Sequence, residues 1–111
     1  MEKNEKIKYL EGIDITNREA KILYWFFKNH EGTSRDIEFS TFIRQPSVSL
    51  ALTKFQERKW INSADVYRGQ RGRPHKYFKI TNVEKVKSDI IKILKDKQAN
   101  VDAFIEELQK W

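Results

Sequence analysis

The sequence contains no cysteine, and it has only four glycines and two prolines in 111 residues. Without cysteine, disulfides, thiolate catalysis and cysteine-based zinc sites are excluded. No apolar run approaches the roughly 18 residues that indicate a membrane-spanning helix, and the charged segment 1–10 lacks the apolar stretch of a signal peptide. We therefore expect a cytoplasmic protein.

Acidic residues are fewer than basic ones, and the imbalance is local. The whole chain has a net charge of +6, whereas between Arg44 and Lys79 nine basic side chains stand against two acidic ones, an excess of +7. The rest of the chain is therefore nearly neutral. A basic excess confined to one region is the pattern expected of a surface that binds nucleic acid.

Apolar spacing and capping residues predict three helices in the first half of the chain. Thr16 followed by Glu19 forms a capping-box pattern that opens a helix over about 17–29. A similar pair opens a short helix over about 34–40, and a proline in the first turn starts a third over about 46–58. A short helix, a brief turn and a longer helix form a helix-turn-helix.

The second half of the chain predicts a hairpin followed by more helix. Strand-like residues flank the basic, glycine-containing loop 68–74, which predicts a β-hairpin. From residue 82 the apolar spacing predicts either one helix of about 28 residues or two helices divided near Ala99. We expect a mainly α-helical fold with a small β-hairpin, organised as a lead-in (1–15), a DNA-binding domain (16–81) and a C-terminal helical dimerisation element (82–111).

The outward face of the third helix is the first candidate DNA-binding surface. Val48, Leu52 and Phe55 are predicted to face the core, and an exposed leucine opposite them could contact a thymine methyl group. An amphipathic helix whose polar side chains only face water is an equally good interpretation of this pattern. The candidate DNA-contacting residues here are Arg44, Gln45, Ser47, Ser49, Leu50, Thr53 and Lys54.

The hairpin loop is the second candidate surface. Three arginines within six residues repel one another unless an anion meets them, and a guanidinium matches phosphate geometry well. A solvated basic tip is the simpler alternative, although the density of arginine favours nucleic acid. The candidate residues are Arg68, Gln70, Arg71, Arg73 and His75.

An apolar stripe in the C-terminal element is the third feature. It predicts a dimerisation helix, since the stripe exceeds what the 17–29 helix could cover; packing on its own domain is the alternative. The residues predicted at the dimer interface are Val86, Ile90, Ile93, Leu94, Val101, Phe104 and Leu108.

Residues that could carry catalysis or bind a metal are not grouped in this sequence. His30 and His75 are the only histidines and stand far apart, and the segment Gly69–Gly72 lacks the lysine and the helix of a phosphate-binding loop. We expect no enzyme activity, no cofactor and no metal.

Two segments resemble a known family. RQPSVSLAL at 44–52 with FQERKWI at 55–61 resembles the recognition helix of winged helix-turn-helix transcription regulators of the MarR/ArsR type, and GRPHKYFKI at 72–80 resembles their wing. The likeness covers residues 16–81 and extends to small archaeal predicted regulators, including regulators of euryarchaeal archaellum operons. At the position of Lys59 this family usually has glycine, so the local turn is where the sequence departs from the family.

The resemblance implies a homodimeric transcription regulator that binds double-stranded DNA. The third helix would enter the major groove, and Arg71 and Arg73 would contact the minor groove. A winged-helix module that binds another protein instead of DNA is the alternative function. The exposed leucine and the C-terminal stripe would then be contact surfaces.

Overall fold

The computed structural model describes residues 2–66, 75–97 and 102–111. Within these ranges, no helix combines the length and the apolar character needed to cross a bilayer. The elements, in chain order, are α1 (Lys3–Glu11), α2 (Asn17–Asn29), β1 (Glu31–Thr33), α3 (Ser34–Thr41), α4 (Gln45–Glu57), β2 (Ile61–Val66), β3 (His75–Ile80), α5 (Val83–Asp96) and α6 (Asp102–Gln109).

The helix starts are fixed by the caps that the sequence predicts. Thr16 accepts a hydrogen bond from the amide of Glu19 at 3.1 Å, and the Glu19 carboxylate accepts one from the amide of Thr16 at 2.8 Å. Thr33 and Asp36 form the same reciprocal pair at the start of α3. Asn82 caps α5 by accepting from two backbone amides. Each cap satisfies amides that have no partner inside the helix.

The predicted hairpin is part of a three-stranded antiparallel sheet with the order β1-β3-β2. Val66 pairs with His75 and Ile61 pairs with Ile80, so β2 and β3 are in register over their whole length. The sequence did not predict β1, because a strand of three residues is too short to show an alternating pattern. A Cβ atom at Gly32 would lie 2.6 Å from the indole of Trp25, so only glycine fits there.

One hydrophobic core joins the helices to the sheet. The rings of Phe55 in α4 and Trp60 before β2 stack with centroids 5.9 Å apart, and both side chains are buried. The indole nitrogen of Trp60 donates to the Asp89 carboxylate of α5 at 2.9 Å. This bond satisfies the polar atom of a buried tryptophan. The core therefore fixes α4 against both the hairpin and α5.

The N-terminal segment is an ordered helix, whereas the sequence predicts a polar lead-in. Ile7 and Leu10 of α1 are buried, as are Ile13 and Ile15 in the connection to α2. The ring of Tyr9 stacks on Phe104 of α6 at 4.9 Å. The periodic signal is weak because α1 is short and mostly charged, so only its tertiary contacts show that the helix is part of the core.

The C-terminal segment takes the second of the two predicted forms, since it contains two helices, α5 and α6. Most of the predicted interface residues are buried inside a single chain. In the C-terminal part, Phe104 of α6 stacks on Tyr9 of α1, and Trp111 contacts Phe27 of α2. These buried side chains are not exposed to a second copy in this conformation, and the dimer itself stays a prediction. The stripe residues buried in the core are Val86, Ile90, Leu94, Phe104 and Leu108; Ile93 is half-buried, and Val101 lies outside the described residues.

Lys59 adopts the left-handed conformation that the family's glycine would suit, with φ 63°. The amide of Lys59 donates to the carbonyl of Gln56, and the amide of Trp60 donates to the carbonyl of Phe55, both at 2.9 Å. These two bonds form the Schellman motif that ends many helices, in which glycine is the usual residue. The turn therefore forms with lysine where glycine is usual, with the strain of a side chain in the left-handed region.

Candidate nucleic-acid interface

Helix α4 has one buried face and one face that the described residues leave uncovered. Val48, Leu52 and Phe55 are buried as predicted, and Ala51 joins them. On the opposite side, the predicted contact residues Ser49, Leu50, Thr53 and Lys54 are exposed, and Ser47 is half-buried.

Leu50 is a large apolar residue on the uncovered face of α4, and 72% of its surface is exposed. Single exposed apolar side chains are common on protein surfaces, so the exposure of Leu50 carries weight only together with the polar groups beside it on this face. Phe39 and Phe42 are also exposed, at 74% and 90%, but they lie in α3 and in the turn after it. Leu50 therefore marks the outward face of α4.

Short polar side chains on this face are held by local hydrogen bonds. The Gln45 amide donates to the Ser49 hydroxyl at 3.0 Å, and the Thr53 hydroxyl donates to the Ser49 carbonyl at 3.0 Å. Arg44 precedes the helix at its N-cap and is exposed. The face therefore presents hydroxyl and amide groups in fixed positions, with a guanidinium at the helix entrance.

Lys54 forms an ion pair that the sequence did not predict. Its ammonium lies 3.0 Å and 3.2 Å from the two carboxylate oxygens of Glu19 in α2. Burial raises the pKa of Glu19, but the hydrogen bond from the Thr16 amide and the nearby Lys54 lower it more, so that the net pKa is below its ordinary value. Glu19 therefore has two partners: its carboxylate caps the start of α2 and forms an ion pair with Lys54 of α4.

A groove runs between the N-terminus of α2 and the outward face of α4. It has a volume of about 680 Å³ and is lined by residues of both helices, including Arg18, Leu50 and Thr53. The Arg18 guanidinium donates to the Ser47 hydroxyl at 3.3 Å. The sequence analysis missed Arg18, because nothing in the sequence indicates that the start of α2 lies beside α4.

The described residues of the hairpin stop on either side of its arginine-rich loop. Arg68, Gln70, Arg71 and Arg73 lie outside the described residues, and so does the side chain of His75, whose backbone begins β3. In the described part of the hairpin, Lys76 and Lys79 are exposed. The Lys79 ammonium lies 3.9 Å from the Glu31 carboxylate, a surface pair of small energetic weight.

Acidic and histidine side chains do not gather into a metal site. In residues 2–66, 75–97 and 102–111, no three of them lie close enough together to bind a metal ion. His30 is exposed at the end of α2 and adopts a positive φ of 71°. It is the C-cap residue of α2.

Comparison with known proteins was made by sequence and by structure. No family model matches the sequence, and no curated protein matches it either. Solved structures do match. A possible transcriptional regulator from Methanosarcina mazei Go1 superposes with a TM-score of 0.67 at 16% identity, covering 99% of this chain and 89% of that one.

Two further structures have the same fold. NadR in complex with 4-hydroxyphenylacetate superposes with a TM-score of 0.60 at 21% identity, covering 95% of this chain and 71% of that one. A mutant of MepR from a multidrug-resistant S. aureus clinical isolate gives 0.57 at 23% identity, covering 96% and 77%. The chain therefore shares the winged-helix fold of these structures. The predicted fold class of helices with a small antiparallel sheet is thereby confirmed.

Proposed function

We propose that the protein is a sequence-specific transcription regulator that binds double-stranded DNA through α4 and has no catalytic activity. The observation that carries the proposal is the uncovered face of α4, on which Leu50 is 72% exposed beside fixed hydroxyl and amide groups. A helix with such a face fits the major groove, where base edges and thymine methyl groups distinguish all four base pairs.

Two kinds of contact are assigned to this surface. Leu50, Ser49 and Thr53 are the candidates for base contacts, since they project from the middle of α4. Arg44 and Arg18 are the candidates for phosphate contacts, since both are exposed cations at the edge of that face. Phosphate contacts position a protein on the duplex, whereas base contacts select the sequence.

The loop between β2 and β3, the wing, is proposed to make a second contact with the DNA. The chain leaves β2 after Val66 and enters β3 at His75, and between these points the sequence provides Arg68, Arg71 and Arg73. Arginine side chains are favoured in narrow minor grooves, where the negative potential is enhanced. The family resemblance and the fold of the structural neighbours support this role.

A homodimer is the assembly that the resemblance predicts. Because most of the predicted interface is buried inside one chain, the dimer needs a surface other than that stripe. Mass measurement in solution tests this prediction. A DNA site made of two half-sites about one helical turn apart (roughly 34–36 Å) would fit a dimer.

The experiment that tests the function is selection of bound sequences from random duplex DNA, followed by affinity measurement on the selected site. Promoters of archaellum operons are natural first candidates for the genomic target. Replacement L50A should change the preferred base at one or two positions, with a loss of about 1–3 kcal/mol on the selected site. Its thermal stability should be unchanged, since the side chain is exposed.

The control is F42A, which removes an exposed apolar side chain from the turn between α3 and α4, outside the outward face of α4. It should leave the selected sequence unchanged. If the wild-type protein binds neither random nor promoter DNA at physiological salt, the proposal fails and the protein-interaction alternative is favoured. If L50A and F42A select the same sequence and bind it with the same affinity, α4 is not the helix that contacts the bases.

A further inference from the structure

The groove beside α4 contains a buried negative charge where a DNA-binding surface would be expected to avoid one. Glu19 is 7% exposed and, with Lys87, is one of two charged residues buried in the described part of the chain. It lines the same groove as Leu50 and Thr53. A carboxylate in that position repels phosphate, so its presence calls for a reason.

The capping box explains only half of what Glu19 does. One of its oxygens accepts the Thr16 amide at 2.8 Å, which glutamine could do equally well, since glutamine also serves in capping boxes. The negative charge is used elsewhere. Both oxygens face the ammonium of Lys54. The ammonium donates hydrogen bonds to them, and the carboxylate neutralises its charge.

We propose that Glu19 is a positioning residue that withholds Lys54 from DNA phosphate and so limits the sequence-independent affinity of the protein for DNA. This inference rests on the proposed function. Lys54 is half exposed on the outward face of α4, and without Glu19 its flexible stem would let the ammonium reach a phosphate. The ion pair thus leaves α4 with one cation fewer for binding phosphate, and it does not change the base contacts of α4.

The physical consequence is a change in salt dependence. Each phosphate neutralised by a cation releases condensed counterions, and the slope of log affinity against log salt steepens by about 0.9 per contact. Replacement E19Q keeps the cap and frees Lys54. We expect E19Q to bind DNA roughly three- to tenfold more tightly near 0.1 M salt, on random and selected duplexes alike.

The test is fluorescence anisotropy with one random and one selected duplex, measured across a salt series for wild type, E19Q, K54Q and the double variant. The advantage of E19Q should shrink about 3.5-fold between roughly 50 and 200 mM salt, as one additional phosphate contact requires. K54Q alone leaves the Glu19 carboxylate without its partner beside the DNA, so its affinity should fall below that of the wild type and its slope should not become steeper. In the E19Q background, K54Q should remove the extra 0.9 or so of slope.

The matched control is E57Q, which removes a carboxylate from the same groove without disturbing the pair. Loss of one negative charge should raise the affinity of E57Q slightly, but no cation is released, so its slope should stay closer to that of the wild type than the slope of E19Q does. Thermal melting should confirm that every variant is folded. A slope for E19Q equal to that of E57Q would overturn the inference, as would a steeper slope that persists without Lys54. If the wild type binds no DNA, the proposed function fails; if it binds and E19Q does not differ, only this inference fails.

Discussion

Replacement K59G is expected to stabilise the protein. Lys59 has φ 63° at the end of α4, in a region that L-residues avoid because Cβ crowds the following carbonyl oxygen. Its side chain is exposed. Glycine has no Cβ and is the residue normally found at this position of a Schellman motif.

The magnitude follows from two opposing terms. A left-handed L-residue costs about 1–2 kcal/mol, and the greater freedom of glycine in the unfolded chain costs about 0.4–1 kcal/mol. The difference leaves a gain of about 1 kcal/mol, or roughly 4 °C in Tm for a domain of this size. Urea unfolding monitored by tryptophan fluorescence, to which the buried Trp25 and Trp60 contribute, should show a higher midpoint with an unchanged m-value.

Two matched variants separate strain from other effects. K59A removes the long side chain but keeps Cβ, so it should show little of the gain. R58G places glycine one residue earlier, where φ is −78° and no strain is relieved, so it should be destabilising. If K59A stabilises as much as K59G, or if K59G gains nothing, the argument from backbone strain is refuted.

Three further predictions follow from the packing and the charges. Replacement I90A should lower the free energy of unfolding by about 2–5 kcal/mol, because the side chain is fully buried; unfolding midpoints that rise with protein concentration would show instead that a second copy contributes. G32A should destabilise by about 1–3 kcal/mol in thermal melting, since the new Cβ meets Trp25, and an unchanged Tm would show that the indole can move. The pKa of Glu19 is lowered in the folded chain, so its contribution to stability is present above its unfolded pKa and is lost as pH falls through the lower folded value. On acidification the wild type should therefore lose more stability than E19Q in unfolding titrations. Parallel plots of the free energy of unfolding against pH for the two proteins would contradict this.

The local elements of this fold are largely readable from the sequence. The capping pairs Thr16–Glu19 and Thr33–Asp36 and the cap Asn82 predict helix starts that the structure confirms, because a cap acts over three or four residues. The inward face of α4 and the paired strands of the hairpin follow in the same way from helical and alternating periodicity. The unusual position of Lys59 is also a local feature that a family pattern can reveal.

What only the tertiary structure decides is which surfaces meet. An apolar stripe predicts that residues are buried, but it does not identify the surface that covers them. Ile90 and Phe104 therefore suggest a dimer interface in the sequence, whereas in the structure they are buried within one chain. The contacts of Glu19 with Lys54 and of Arg18 with Ser47 join residues 35 and 29 positions apart. Hydrophobic burial has no direction and ion pairs need only proximity, so the sequence determines which faces are apolar or charged, and the packing of the helices decides their partners.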